Sequence, residues 1–415
     1  MVLADPAELR SPGLRRQKNR KAIAPGGRKI HGKRMESRQV RLTDPAAAGA
    51  ALAELAALRP QLVLVFAALN YLEDRGFLAA LRQAFPDSQR VGCSTAGEIS
   101  AHGVSNGSAV VTAVRFDQPA FCVARTGHTD MAASADTGRR LGRQLKQPGL
   151  HSVMLFGAGV NINGSALIDG VVDEAGTGVK LTGGLAGDDG AFRRTLTLLN
   201  DEVSAEQVVG IGFCSPALRL GHGCVGGWEP FGAVRRITRA HGNVLYELDG
   251  QPALDLYKRY LGEYAKGLPA SGLLFPFEML DSKQSEVGLI RTILGVDEAA
   301  RSLTLAGSLI DDGYLRLMQA STDALVNGAE QAASAARGPQ CEGREGLALL
   351  VSCVGRKLVM GERVDEEIEA VADVYGRGAT LAGFYSYGEI SPLNSTPECK
   401  LHNQTMAVTY LCEGP

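Results

Sequence analysis

Two stretches of this chain repeat each other without a gap. Gly92–Ser100 (GCSTAGEIS) and Gly383–Ser391 (GFYSYGEIS) share both glycines and the whole Gly-Glu-Ile-Ser ending. Each follows an apolar run and a helical stretch. LVLVFA (62–67) precedes Tyr71–Phe85, where Leu72, Phe77, Leu78 and Leu81 fall at helical spacing; LALLVSC (347–353) precedes Val364–Tyr375, with Ile368 and Val371 inward. A looser third copy, Gly184–Asp189 (GLAGDD), follows HSVMLFG (151–157) and a helical stretch over 165–175, with Asp in place of Glu. A recurring strand–helix–strand unit that ends in a glycine-flanked acidic turn restricts the chain to an α/β fold. The predicted fold class is α/β with mixed α+β elements: two related strand–helix–strand domains, internally duplicated.

The pattern divides the chain into 1–34, a basic segment, 45–222, an N-terminal domain, and 223–412, a C-terminal domain. Residues 1–34 hold ten Lys/Arg against Asp5 and Glu8, which leaves −10 on the remaining 381 residues of a chain whose net charge is −2. The segment reads as disordered, and Met35 as an alternative start. It lacks the apolar core of a secretory signal, and no apolar run reaches membrane-spanning length. The expected location is the cytoplasm, and the acidic remainder points away from nucleic acid. The eight cysteines (93, 122, 214, 224, 341, 353, 399 and 412) show no CxxC spacing. They read as reduced thiols rather than as a disulfide framework or a zinc site.

The strand-end turns are the expected ligand positions. Glycine admits close backbone approach, Ser94 and Thr95 offer hydroxyls, and Glu98, Glu389, Asp188 and Asp189 suit an ammonium group or a cation. Carboxylates that only accept hydrogen bonds from their own loops are the alternative. No GxxxxGK[ST] phosphate cradle occurs. Cys93, which follows a strand in VGCSTAG, and Cys353, which ends one beside Arg356, which would lower its pKa, are the candidate nucleophiles of an alternative reading, a cysteine-dependent enzyme; both thiols also read as packed core. Among the histidines, His402, His222 and His241 are the candidate haem ligands, and with no CxxCH a haem b would be held non-covalently. Trp228, in GGWEPFG, reads as core or as a ligand wall.

The motifs VGCSTAGEIS (91–100), GGLAGDD (183–189), GGWEPFG (226–232), LLVSCVGRKLVMGER (349–363), GFYSYGEISP (383–392) and LHNQTMAVTYL (401–411) resemble, in order, those of FIST (F-box and intracellular signal transduction) proteins. The resemblance implies a non-enzymatic sensor of a small ligand, such as an amino acid. Its output would pass to a separate histidine kinase or cyclic-di-GMP enzyme. Tyr385, Tyr387 and Asn403 join the candidate ligand contacts through these motifs. Two-domain chains of this kind also resemble the NosP group of haem-containing nitric-oxide sensors.

Overall fold

The computed structural model describes residues 35–310, 312–338, 341, 344–393 and 398–414. The segment 1–34, expected to be disordered, lies outside the described residues. The rest is built from one unit used three times, with an insert in the third copy.

In unit one, β1 (Glu36–Leu42) leads through α1 (Ala48–Ala56) to β2 (Leu62–Ala67), α2 (Leu69–Glu73), α3 (Arg75–Ala84) and β3 (Gln89–Ser94). A hairpin, β4 (Glu98–Ser100) and β5 (Gly103–Ser105), precedes the closing strand β6 (Ala109–Arg115). Unit two repeats the order with β7 (Phe121–Gly127), α4 (Ser134–Leu145), β8 (Ser152–Gly157), α5 (Gly164–Ala175), β9 (Lys180–Leu185), the hairpin β10 (Thr197–Leu199) and β11 (Glu202–Ser204), and β12 (Gln207–Phe213).

Unit three opens with β13 (Leu218–Val225) and is then interrupted. The insert carries β14 (Glu229–Pro230), β15 (Arg235–His241), β16 (Val244–Leu248), β17 (Gln251–Pro252), α6 (Ala253–Leu261), β18 (Phe277–Leu280), β19 (Glu286–Arg291), β20 (Ile293–Asp297), β21 (Ser302–Leu305) and β22 (Tyr314–Gln319), all paired antiparallel. The unit resumes with α7 (Thr322–Arg337), β23 (Gly346–Cys353), α8 (Val354–Met360), α9 (Asp365–Tyr375), β24 (Ala379–Ser386), the hairpin β25 (Gly388–Pro392) and β26 (Cys399–His402), and β27 (Met406–Glu413).

Each unit pairs its two central strands in parallel, β2 with β3, β8 with β9 and β23 with β24. Each gives its hairpin to another unit: β4 pairs with β24, β10 with β3 and β25 with β9. The exchange closes on itself, so the three sheets are locked in a ring. Their inner faces share one core, at whose centre Phe66, Phe156 and Phe384 come from three different sheets with ring centroids 4.8 to 6.1 Å apart.

The repeated glycine has one steric cause. In the parallel register Gly92, Gly183 and Gly383 occupy the same place, and a methyl group on each would overlap the carbonyl oxygen of Val65, Leu155 and Leu350 respectively. Only a residue without Cβ lets the strands close.

Two expectations change. The helix read across Tyr71–Phe85 is broken at Asp74, whose side chain caps α3 by accepting from the Phe77 amide at 2.6 Å. The cysteines are not all reduced, because Cys341 and Cys412 form a disulfide across 71 residues. A pairing that long leaves no short spacing to read.

Candidate functional site

The strand-end turns lie at three corners joined by a ring of equivalent bonds. Gly187 N–H donates to the Ser94 carbonyl (2.9 Å), Ala96 N–H to that of Tyr385 (2.8 Å) and Tyr387 N–H to that of Leu185 (3.1 Å).

At the first corner Glu98 is 1% exposed. Its Oε1 accepts from the Thr95 hydroxyl at 2.5 Å, and its Oε2 from the Ser108 amide and hydroxyl at 3.0 and 2.7 Å. The third corner repeats this on Glu389: Ser386 hydroxyl on Oε1 (2.6 Å), Thr405 amide and hydroxyl on Oε2 (3.2 and 2.9 Å). The carboxylate thus fastens the hairpin to the closing strand of its own unit. Burial raises the pKa of both acids against these hydrogen bonds, Glu389 to about 8.

The second corner departs from the reading of GLAGDD as an acidic copy. Strand register puts Thr197, not an aspartate, where Glu98 and Glu389 stand. Thr197 and Gln207 exchange bonds there, Gln207 Nε2 to the Thr197 carbonyl and Thr197 Oγ1 to the Gln207 carbonyl (2.9 and 3.2 Å). Asp188 instead closes its own loop, accepting from the amides of Phe192, Arg193 and Arg194 and from the Tyr387 hydroxyl.

Of the two glutamates expected to meet a ligand, only Glu98 borders a cavity. Glu389 is wholly enclosed and lines none of the cavities described here. A cavity of about 290 Å³ opens at the first corner, walled by Thr95, Gly97, Glu98 and Gly107 and by Asp188 and Asp189 of unit two. The start of α2, with Asn70, closes one side.

Lys357, on α8 of unit three, reaches in beside Gly97. Its Nζ donates to the Ala96 carbonyl and to Asn106 Oδ1 (both 2.5 Å) and stands 3.8 Å from Asp189 Oδ1. Burial lowers its pKa, while Asp189 and Glu98 act in the opposite sense. The Asp189 side chain is 78% exposed, and its backbone sits at φ 57°. Sequence reading missed Lys357, Asn70 and Gly107, since none lies in the repeated turn.

The same position at the third corner is filled. Gly107 (φ +68°) and Gln404 (φ 62°) both immediately precede the residue that bonds the corner carboxylate. Gly107 has open space around it. Gln404 is fully buried, donates to the Leu273 carbonyl of the insert (2.8 Å) and packs its amide against Gly355, which stands where unit one has Asn70.

The other candidates are buried within the fold. Ser94 hydroxyl donates to the Gly187 carbonyl and accepts from the Leu196 amide. Arg356 is 0% exposed and forms an enclosed ion pair with Glu367 (2.7 Å), whose other oxygen takes the Ser352 and Tyr385 hydroxyls. Trp228 packs on Met318, Leu325 and Met360 and donates to the Gln404 carbonyl. Tyr387 stacks on Phe192 at 4.0 Å. Asn403 is buried beside Gln404. Cys93 and Cys353 are enclosed, and burial pushes both thiols up, at Cys353 overriding the lowering expected from Arg356.

The histidines do not fit a haem. His402 is 3% exposed, with Nε2 3.1 Å from the Ser391 carbonyl, and burial lowers its pKa to about 4. His241 lies exposed at the end of β15, and His222 is half-buried on the edge strand β13. None of the three lines the cavities described here. Among the described residues no cluster of His, Cys, Asp and Glu is placed to hold a metal ion.

Family models match in tandem: the FIST N domain over residues 61–251 and the FIST C domain over 253–392. The chain belongs to the FIST family. FIST domains are sensor domains of signal transduction. An uncharacterised protein of Mycobacterium tuberculosis is 26% identical over 384 residues, 85% of this chain and 92% of that protein. An uncharacterised protein of Methanocaldococcus jannaschii is 37% identical over 92 residues, 21% of this chain and only 17% of its own length. A cyanuric acid hydrolase from A. caulinodans aligns over 92% of this chain and 99% of its own at 12% identity and a TM-score of 0.34, too distant to support an argument. No helix among the described residues is long and apolar enough to cross a membrane.

Proposed function

We propose that this FIST protein senses a small zwitterion of amino-acid size at the first corner. The observation that carries the reading is the Asp189–Lys357 pair, 3.8 Å apart beside a cavity of about 290 Å³. A carboxylate and an ammonium held at that separation complement the ammonium and carboxylate of an α-amino acid, and the cavity suits a small ligand. Glu98 and Asp188 are committed to their own loops, so Asp189 and Asn70 are the lining groups left to bind, with the third N–H of Lys357, whose other two are taken by Ala96 and Asn106, beside them.

The cavity takes its walls from units one and two, and Lys357 of unit three stands at its edge against Asp189. A ligand that favours one arrangement of the three shifts the population toward it. The output passes to a separate partner, a histidine kinase or a cyclic-di-GMP enzyme.

Thermal unfolding with a panel of L-amino acids tests the reading. A matching amino acid at a hundredfold excess over its Kd stabilises the protein by about 2.7 kcal/mol. Its N-acetyl and amide derivatives, each missing one charge, should shift the midpoint far less. Equal shifts from the derivatives, or an undiminished shift in Asp189→Asn and Lys357→Met, would reject the zwitterion.

A further inference from the structure

A second cavity, about 650 Å³, lies where edge strand β13 of unit three meets the starts of β8 and β9 in unit two. Its polar wall is His151, Ser152, Lys180 and Arg219, and its apolar wall includes Leu218 and Leu220. No carboxylate lines it. Among the described residues neither Lys180 nor Arg219 has a carboxylate within 4.0 Å.

The threefold repeat supplies an internal control. At the matching joint β1 of unit one meets the start of β24 of unit three. Strand register makes Thr380 the counterpart of Lys180, Ser37 of Leu220 and Gln39 of His222. That joint is stitched by neutral bonds, Ser37 Oγ to Thr380 Oγ1 and Gln39 Nε2 to the Leu381 carbonyl (both 2.8 Å), across a smaller cavity. The β13 joint has a leucine facing a lysine instead, and the stitches are gone. Its cavity is larger, about 650 against 430 Å³, and the Thr182 hydroxyl, one step deeper than Lys180 on the same face of β9, is buried without a partner. An uncompensated lysine and arginine over an apolar floor suit a ligand with one anionic end and one apolar end.

We infer that the β13–β9 groove binds a small amphipathic anion, a carboxylate or phosphate monoester head on an apolar body. Lys180 and Arg219 take the head while Pro216 and the edge of Leu220 pack the body.

Calorimetric titration of the full chain with octanoate, octyl phosphate, 1-octanol and inorganic phosphate tests this. At least one octyl anion should bind, and the stronger of the two identifies the head group. Octanol and inorganic phosphate should bind at least tenfold more weakly. Lys180→Thr, which restores the counterpart residue, and Arg219→Ala should each weaken the octyl anion about tenfold, the loss of one charged hydrogen bond. Arg38→Ala, at the sewn joint, should leave affinity unchanged, and so should Gly107→Gln at the first corner, which separates this site from the amino-acid cavity. Octanol binding as tightly as the anions, inorganic phosphate matching octyl phosphate, or full affinity in Lys180→Thr would overturn the inference.

Discussion

Glu389 shows how one buried side chain can be mistaken for a ligand contact. Its three hydrogen bonds all come from Ser386 and Thr405, and burial holds its pKa at about 8. The folded protein therefore binds a proton that the unfolded chain releases near the ordinary carboxylate range. The sign follows from linkage: stability is greatest below about pH 4.5 as far as this group is concerned, falls as pH rises toward 8, and levels beyond it. Urea unfolding at pH 5.5 and 8.5 should show that loss in the wild type. Glu389→Gln should remove most of it, because a neutral amide can accept from Thr405 and donate to the Ser386 hydroxyl. An unchanged pH slope in the variant would assign the effect to other groups. The GEIS repeat was readable because it fixes this bonding pattern twice. Its meaning was not, because the partners Ser108 and Thr405 lie ten and sixteen residues away in stretches that share no motif.

At the scale of elements, the parallel pairs and their glycines decide the architecture. Alanine at Gly92, Gly183 or Gly383 would drive a methyl into a neighbouring carbonyl. Each substitution should cost about 3 kcal/mol or more in chemical denaturation, at or above the usual range for overpacking. Gly107→Ala, in open space, should cost about 1 kcal/mol through backbone strain alone. Most central strands were legible as short apolar runs, among them Leu62–Ala67, Ser152–Gly157 and Gly346–Cys353. The strands β1, β7 and β13 were not: each is at an outer position in its sheet and carries polar residues that blur the pattern. The hairpin exchange was also hidden, since which sheet a three-residue strand joins depends on its neighbours in space. The disulfide belongs here too. Thiol titration of the denatured, unreduced chain should find six free cysteines rather than eight, and reduction should cost about 4 kcal/mol for a loop of this length.

At the scale of the whole molecule, three copies of one unit have diverged at equivalent places. One corner keeps a carboxylate and an open cavity, one replaces the acid with Thr197 and Gln207, and one fills the opening with Gln404 under the insert. The sequence carried the family and two of the corners. The asymmetry that leaves one corner open rests on Gly107 against Gln404, a contrast visible only once the units are superimposed through their strand register. The most direct test uses that contrast. Gly107→Gln gives the first corner the residue that closes the third, at nearly the same φ. Calorimetry with the amino acid that most stabilises the wild type should give one site per chain in the wild type and no measurable binding in Gly107→Gln, with the variant still unfolding cooperatively. Binding that survives in Gly107→Gln at wild-type affinity would contradict the first corner as the sensing site.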